Sequence, residues 1–278
     1  MRIKQMIKED YSEFTKMEKK IADFILGDDD NHIIAMTLAE LSAKLELGEA
    51  TIVRFCRKIK CKGFQDMKFA IALENTTVST EVEVHNYLDL VENNMLNIIH
   101  ETKKKADISQ LEKAVNMISD TAYLYFFGLG SSGFIAQMAE ERLLRVGYRS
   151  KAIVENHMQY AQSALCDEHD VIVAISLSGT TPELYDALCN AKENGCQLLA
   201  ITDHMNSPIA KISDCVLLTN GIENPISGGT FTAMTSQIYV MDLLVTGYTR
   251  RHAEKVNYYK ERVARSINRR FTLNEKND

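Results

Sequence analysis

The sequence predicts two folds in series: an all-α helix-turn-helix domain, then an α/β domain with a five-stranded parallel sheet flanked by helices. Three observations carry this. Residues 14–59 hold apolar side chains at the helical period, in short segments separated by glycine-bearing turns. Val171 to Ile175 is an unbroken apolar run between Asp170 and a loop of hydroxyls, the pattern of a strand covered on both faces. Further short apolar runs at 123–127, 150–154, 198–202 and 216–219 alternate with helical stretches, as repeated βα units require.

In the first domain, Phe14 to Leu26 places Phe14, Met17, Ile21, Phe24 and Ile25 close to the helical period and stops at Gly27. Thr37 is an N-cap with Glu40 three positions on, a capping box for a helix through Leu38, Leu41 and Leu45. Leu47-Gly48 makes the turn. Glu49 to Ile59 then forms a second short helix, with Ile52, Val53, Phe55 and Cys56 inward and Thr51, Arg54, Arg57 and Lys58 outward. The charge distribution supports a role for that outward face. Residues 1–78 carry 13 basic and 13 acidic side chains, so the chain's net charge of -6 lies wholly in residues 79–278. Within the neutral part, from Ala50 to Lys68, Arg54, Arg57, Lys58, Lys60, Lys62 and Lys68 stand against the single acid Asp66. Two helices joined by a tight turn, the second basic on its open face, make a module for double-stranded DNA, with Thr51, Arg54, Arg57 and Lys58 as candidate contacts.

Asn75 to Thr80 reads as a polar break. Val82 to Lys105 reads as a polar amphipathic helix with Leu88, Val91, Met95, Leu96 and Ile99 on one side. The expected division is therefore 1–78 for the DNA-binding domain, 79–108 for a helical linker and 109–278 for the α/β domain.

In the α/β domain, the strand Tyr123 to Phe127 leads into Gly128-Leu129-Gly130-Ser131-Ser132-Gly133 and a helix from Phe134 to Val146. These glycines have dinucleotide-fingerprint spacing, but the next strand, KAIV at 151–154, lacks the terminal acid that would hold a ribose; Glu155 lies just beyond. After Ile175 come four hydroxyls in six residues, Ser176, Ser178, Thr180 and Thr181, and Thr181-Pro182-Glu183 then opens a helix. A strand end meeting a helix start presents free N–H groups and a positive dipole end, and Gly179 lets the backbone approach a ligand, so phosphate is the natural guest. Strands at Leu198 to Thr202 and Val216 to Thr219 follow, then a loop from Gly221 to Gly229 and a mostly helical stretch from Thr230 to Arg270. Its basic run (Arg250, Arg251, Lys255, Lys260, Arg262, Arg265, Arg269 and Arg270) reads as a solvated face, the alternative being a supporting part in DNA or subunit contacts.

FGLGSSG at Phe127–Gly133 and ISLSGTTPE at Ile175–Glu183 resemble the sugar isomerase (SIS) domain, over about Leu111 to Thr219. The resemblance implies a flavodoxin-like αβα sandwich that holds a sugar phosphate, with Ser131 or Ser132, together with Ser176, Ser178 and Thr181, on the phosphate and His157 on the sugar. EKKIADFIL and MTLAELSAKLELGEATIVRFCRKIKCKGFQDMKFAIA are similar to the N-terminal domain of RpiR-family bacterial transcription regulators, whose second half is an SIS domain. Gly48 stands where such proteins commonly carry a capping serine, and Lys60 where they commonly carry glycine. The resemblance implies a regulator of sugar catabolism, amino sugars first, whose effector is a sugar phosphate and which needs no cofactor. A homodimer or tetramer is expected. One module of this size covers too little DNA for tight specific binding, so two copies should read a palindromic operator.

Composition sets limits on these readings. A hydrophobic fraction of 45% is ordinary for a globular chain. No apolar run approaches 18 residues and the start, MRIKQMIKEDYSEF, has no apolar signal core, so a cytoplasmic protein without membrane contact is expected. Cys56, Cys61, Cys166, Cys189, Cys196 and Cys215 form no C-x-x-C pair, which argues for buried thiols rather than a metal site. The rival class is a phosphosugar isomerase, which would need a general base; Glu223, His157 and His252 are available by type. The N-terminal DNA module and the lack of a paired acid and base argue for a non-enzyme. A third reading, an SIS domain serving only as a dimerisation platform, predicts no ligand effect.

Overall fold

The computed structural model describes residues 3–28, 32–78, 87–221 and 231–274. The chain divides into two compact units, with the division between Asn94 and Met95.

The first unit is helical. It comprises α1 (Ile3–Glu9), α2 (Lys16–Gly27), α3 (His32–Ala35), α4 (Leu38–Leu45), α5 (Glu49–Lys58) and α6 (Phe64–Val78). Both α2 and α4 start on capping boxes. Thr15 accepts from Glu18 N at 3.3 Å while Glu18 accepts from Thr15 N at 2.8 Å. Thr37 and Glu40 repeat this at 3.2 and 2.8 Å. Glu46, in the left-handed region, ends α4 and turns the chain into α5. The core is filled by Ile7, Ile21, Ile25, Leu41, Ile52, Phe55, Ile59, Met67 and Ile71, all fully buried. Met17, one of the apolar residues at the helical period, is 56% exposed. Two helical features depart from expectation. The chain forms α1 ahead of the first expected helix, and the break expected at Asn75 is still helix through Val78. Extending an existing helix by a turn through Asn and Thr costs only about a few tenths of a kcal/mol per residue, so a polar composition alone does not end it.

The division falls inside α7 (Tyr87–Lys105). Its expected apolar stripe is largely in solvent, with Leu88, Val91, Met95 and Leu96 exposed and Ile99 half-buried, while Ile98, outside that stripe, is buried. Residues 82–86 of that expected helix lie outside the described residues. The second unit continues with α8 (Ile108–Asp120), β1 (Tyr123–Gly128), α9 (Ser131–Arg145), β2 (Ser150–Ile153), α10 (Asn156–Ser163), β3 (Asp170–Ile175), α11 (Pro182–Glu193), β4 (Gln197–Thr202), α12 (Pro208–Ile212) and β5 (Cys215–Leu218). It closes with α13 (Thr232–Arg251) and α14 (Ala253–Asn274), two helices where one mostly helical stretch was expected.

All strand pairs are parallel and their order is β2-β1-β3-β4-β5. Alternation along β3 divides the core between two faces. Val171, Val173 and Ile175 pack with residues of α8, α9 and α13, while Ile172 and Ala174 pack with residues of α11 and α12. The chain leaves β1 for the sheet edge and returns to the other side of β1 as β3. That reversal is the topological switch point, where open α/β sheets of this order place their ligands.

Candidate functional site

At the carboxyl end of β3 the hydroxyl loop is held rigidly from below. Thr202 Oγ1 and Asp203 N both donate to Leu177 O, at 3.1 and 2.9 Å, and Ile209 N donates to Gly179 O at 3.1 Å. Gly179 has φ of 62°, and a Cβ there would stand 2.1 Å from Ser207 Oγ, so no other residue fits. Buried Ser176 accepts from Gly179 N at 3.1 Å and shares a 3.0 Å hydrogen bond with Thr181 Oγ1. Ser178 Oγ accepts from Thr180 N and Thr180 Oγ1, at 3.3 and 3.1 Å. Ser176, Ser178 and Thr181 are thus brought together in one loop. Thr181 is the N-cap residue of α11, yet its side chain makes no cap bond.

The neighbouring loop, after β1, runs directly into α9, which begins at Ser131 rather than at the expected Phe134. Gly130, with φ of 56°, precedes it and caps nothing. A Cβ on Gly128 would lie 2.6 Å from Ser132 O, and this contact lets the helix start flush against the strand end. Ser131 is exposed; Ser132 is buried, its hydroxyl accepting from Gln237 Nε2 of α13 at 3.0 Å. Because β1 and β3 are paired neighbours, both uncapped helix starts open onto one stretch of sheet edge. A helix's first-turn N–H groups have no regular i−4 acceptor within the helix, although Gly133 N of α9 turns back to Gly130 O at 3.0 Å, and each helix adds a dipole equivalent to roughly half a positive charge.

His157 lies on α10 in an exposed position, beyond the end of β2. The better-placed side chain on that helix is Gln159, which is fully buried and donates through Nε2 to Gly128 O at 3.3 Å and Ile153 O at 2.7 Å. It ties the ends of β1 and β2 together beneath the first loop. Its Oε1 and the Oδ1 of Asn156 have no partner among the described residues. Sequence reasoning missed Gln159 and Gln237, since a polar residue inside a helix reads as outward-facing. The one available signal was that Gln159 falls on the inward side of a short helix following a strand end.

Of the side chains that could act as a base, His252 shares a 2.9 Å hydrogen bond with Ser119 Oγ. Ser119 lies ahead of β1, so this histidine sits at the amino edge of the sheet, away from the loops. Glu223 lies outside the described residues. Among those residues no cluster of His, Cys, Asp and Glu could hold a metal ion, and no helix is long and apolar enough to cross a membrane. Burial pushes the Cys56 thiol up to about 12 and the Cys215 thiol up to about 11, so both are inert at neutral pH.

In the helical unit, α5 turns Ile52, Phe55 and Cys56 into the core and leaves Arg54 and Arg57 exposed. Arg54 donates to Thr51 Oγ1 at 3.3 Å, placing both on one face, and Arg57 has no partner among the described residues. Lys58 is differently placed. Its Nζ donates to Glu13 O at 3.1 Å, pairs with Glu18 Oε2 at 2.9 Å and lies over the Phe14 ring, so it ties α5 to the start of α2. Lys60 has φ of 63°, the left-handed conformation that glycine adopts without strain.

Family models match both parts of the chain. A helix-turn-helix domain of the rpiR family matches residues 1–77, and an SIS domain matches residues 117–247. An uncharacterised HTH-type transcriptional regulator of Clostridium perfringens is 34% identical over 243 residues, covering 84% of this chain and 86% of its own. One from Haemophilus influenzae is 32% identical over 246 residues, covering 84% and 85%. Among solved structures, the Vibrio vulnificus NanR protein, in complex with ManNAc-6P, superposes with a TM-score of 0.81 over 95% of this chain and 97% of that one, at 22% identity, which shows the shared fold. With both domains matched in order and a relative above 30% identity along most of its length, this chain belongs to the rpiR family of helix-turn-helix transcriptional regulators.

Proposed function

We propose that this regulator reads double-stranded operator DNA with α5 and takes a sugar phosphate, an amino-sugar phosphate first, on the loops after β1 and β3. The observation that carries the effector site is the pair of uncapped helix starts, α9 and α11, converging beside Ser176, Ser178 and Thr181 at the switch point. Such a place supplies N–H donors and positive potential to an anion without needing a charged side chain. The amino-sugar choice is supported by the fold shared with NanR, which was solved with ManNAc-6P. Thr51, Arg54 and Arg57 form the proposed base-reading face, and Lys58 acts chiefly by fixing the helix. His157, exposed beyond β2, would reach the sugar end.

In this reading residues 1–78 bind DNA, 79–108 link and 109–278 sense, in a cytoplasmic homodimer or tetramer on a palindromic site. Binding rather than isomerisation is favoured because the matched relatives are named transcriptional regulators. The test is a melting series with a panel of sugar phosphates. A ligand at 100 times its Kd should add about 2.7 kcal/mol of stability. If no member of the panel shifts the transition, the sensor reading fails.

A further inference from the structure

The basic run at the end of the chain is not absorbed by either site, and two of its cations, Lys255 and Arg262, line a cleft. The end of α9, the turn into β2 and the face of α14 that meets them line a cleft of about 530 Å³, with its cations exposed. Small-molecule sites occupy roughly 300–1,000 Å³. The cleft is built rather than incidental. Tyr259 is seated directly on Gly147, where φ is +80° and a Cβ would stand 2.2 Å from the ring, so the turn requires glycine to receive α14. Arg149 from the turn and Lys255 and Arg262 from α14 converge on this space, with Ser266 beside them. Arg262 lies over the rings of Tyr258 and Tyr259, at 5.7 and 6.0 Å from their centroids. No carboxylate lines the cleft, and none of the three cations has an acidic partner among the described residues.

A purely structural account would have these cations neutralise the carboxyl-end dipole of α9. That dipole amounts to roughly half a negative charge, which one cation would offset. Moreover, Val146 N and Tyr148 N already donate to Leu143 O, and Gly147 N to Leu144 O. Three full positive charges around one concavity, in the part of the chain that carries all the net negative charge, exceed that need.

We propose that this cleft is a second anion site, specific for a free oligophosphate such as the di- or triphosphate of a nucleotide. A single phosphate carries at most about two negative charges, so three converging cations suit a diphosphate or longer. The guanidinium groups can engage phosphate oxygens in pairs. The site is distinct from the sheet-edge loops. α9 has 15 residues, starts at the loop after β1 and ends at this cleft, a separation of about 20 Å. Concave lining favours a small ligand over the backbone of a duplex, which would need the cations along an open ridge.

The experiment is calorimetric titration of the full chain with inorganic phosphate, pyrophosphate and tripolyphosphate at about physiological salt. Expected is saturable binding of one tripolyphosphate per chain, tighter than phosphate and retained when Ser176 and Ser178 are both replaced by alanine. Arg149→Gln, Lys255→Gln and Arg262→Gln should each weaken it about tenfold or more. Arg265→Gln, an exposed arginine paired with Glu261, should not. Melting curves of each variant check that it is folded. The proposal is overturned if titration is not saturable, or if the three variants bind like wild type. It is also overturned if their only effect is a shallower salt dependence for a random 30-bp duplex, which would assign the cations to DNA backbone.

Discussion

Thr15 and Thr37, at the starts of α2 and α4, each accept on their hydroxyl oxygen from the backbone N–H three residues on, and Glu18 and Glu40 close the box. Thr181, at the start of α11, carries the same side chain and turns it to Ser176 instead. The sheet unit is able to cap its helices: Ser207 accepts from Ala210 N at α12, and Asp107 accepts from Ser109 N and Gln110 N at α8. Its uncapped starts include α9 and α11, side by side at the switch point. A cap bond contributes about 1 kcal/mol, and leaving it unmade at two adjacent places keeps the N–H groups open for an anion. The helical unit makes the same distinction at smaller scale, since boxed α2 and α4 support an α5 that begins on bare Gly48. Side-chain caps close α2, α4, α8 and α12, whereas α5, α9, α10 and α11, which carry the proposed sites, start without one.

The strongest way to break this comparison is to remove the hydroxyls that frame the open starts. Replacing Ser176 and Ser178 with alanine removes two donors to a charged group, at about 1.5 to 3 kcal/mol each, so sugar-phosphate affinity should fall at least 100-fold. DNA affinity without ligand should stay within a few-fold, and the response of DNA binding to ligand should vanish. Calorimetry and gel shift on one preparation measure both. A double variant still responding at wild-type ligand concentrations would sink the assignment of the open starts.

The reciprocal change is on α5. Arg54→Ala or Arg57→Ala should cost about 1 to 3 kcal/mol of sequence discrimination and leave ligand-induced stabilisation intact. Two variants that bind specific DNA normally would move the reading face elsewhere.

How much of this was legible in the sequence depended on how local the cause was. Strand β3 and its loop were readable because five apolar residues and four hydroxyls state their environment directly. The box at Thr37 was readable because both partners lie within four positions. The start of α9 was set three residues late, since Ser-Ser-Gly has loop propensity. What makes it helical is the bare Cα of Gly128 meeting Ser132 across the turn. Lys58 lies outward by helical period, yet Glu18, 40 positions away in sequence, draws it down, and no local pattern encodes that partner. Gln237 escaped for the same reason, its acceptor being 105 positions distant, and so in part did Gln159, which bonds Ile153 O six positions back but also Gly128 O 31 positions away.

A smaller effect sharpens the comparison from the capped side. Thr15→Ala should lower the stability of the helical unit by about 1 kcal/mol, without changing sugar-phosphate binding. The loss should depend on pH. Burial raises the Glu18 carboxyl, but hydrogen bonds from Lys58 and Thr15 outweigh it and hold the group below the usual range. A depressed carboxylate contributes stability that is present above its ordinary value of about 4.3 and disappears as pH falls through the folded value. The gap between wild type and Thr15→Ala should therefore narrow on acidification below about pH 4.3. A gap that widens there would show that the box is not made by an ionised Glu18.

The smallest expected effect concerns the open start of α5. Gly48 has φ of -65° and ψ of 141°, a conformation any residue adopts, and a Cβ there would meet nothing nearer than Thr51 Oγ1 at 4.0 Å. Serine therefore fits, and Gly48→Ser should stabilise the helical unit by about a few tenths of a kcal/mol. For a unit of this size that is a rise of roughly 1 to 2 °C in Tm. Specific DNA affinity should stay within twofold, because the side chains of Arg54 and Arg57 are a full turn or more beyond the cap. A fall in Tm would mean that glycine at this position serves the fold. A rise accompanied by a tenfold loss of DNA binding would mean that the uncapped N–H groups of α5 themselves hold a backbone phosphate, extending to the DNA face the use of open helix starts proposed for the sheet edge.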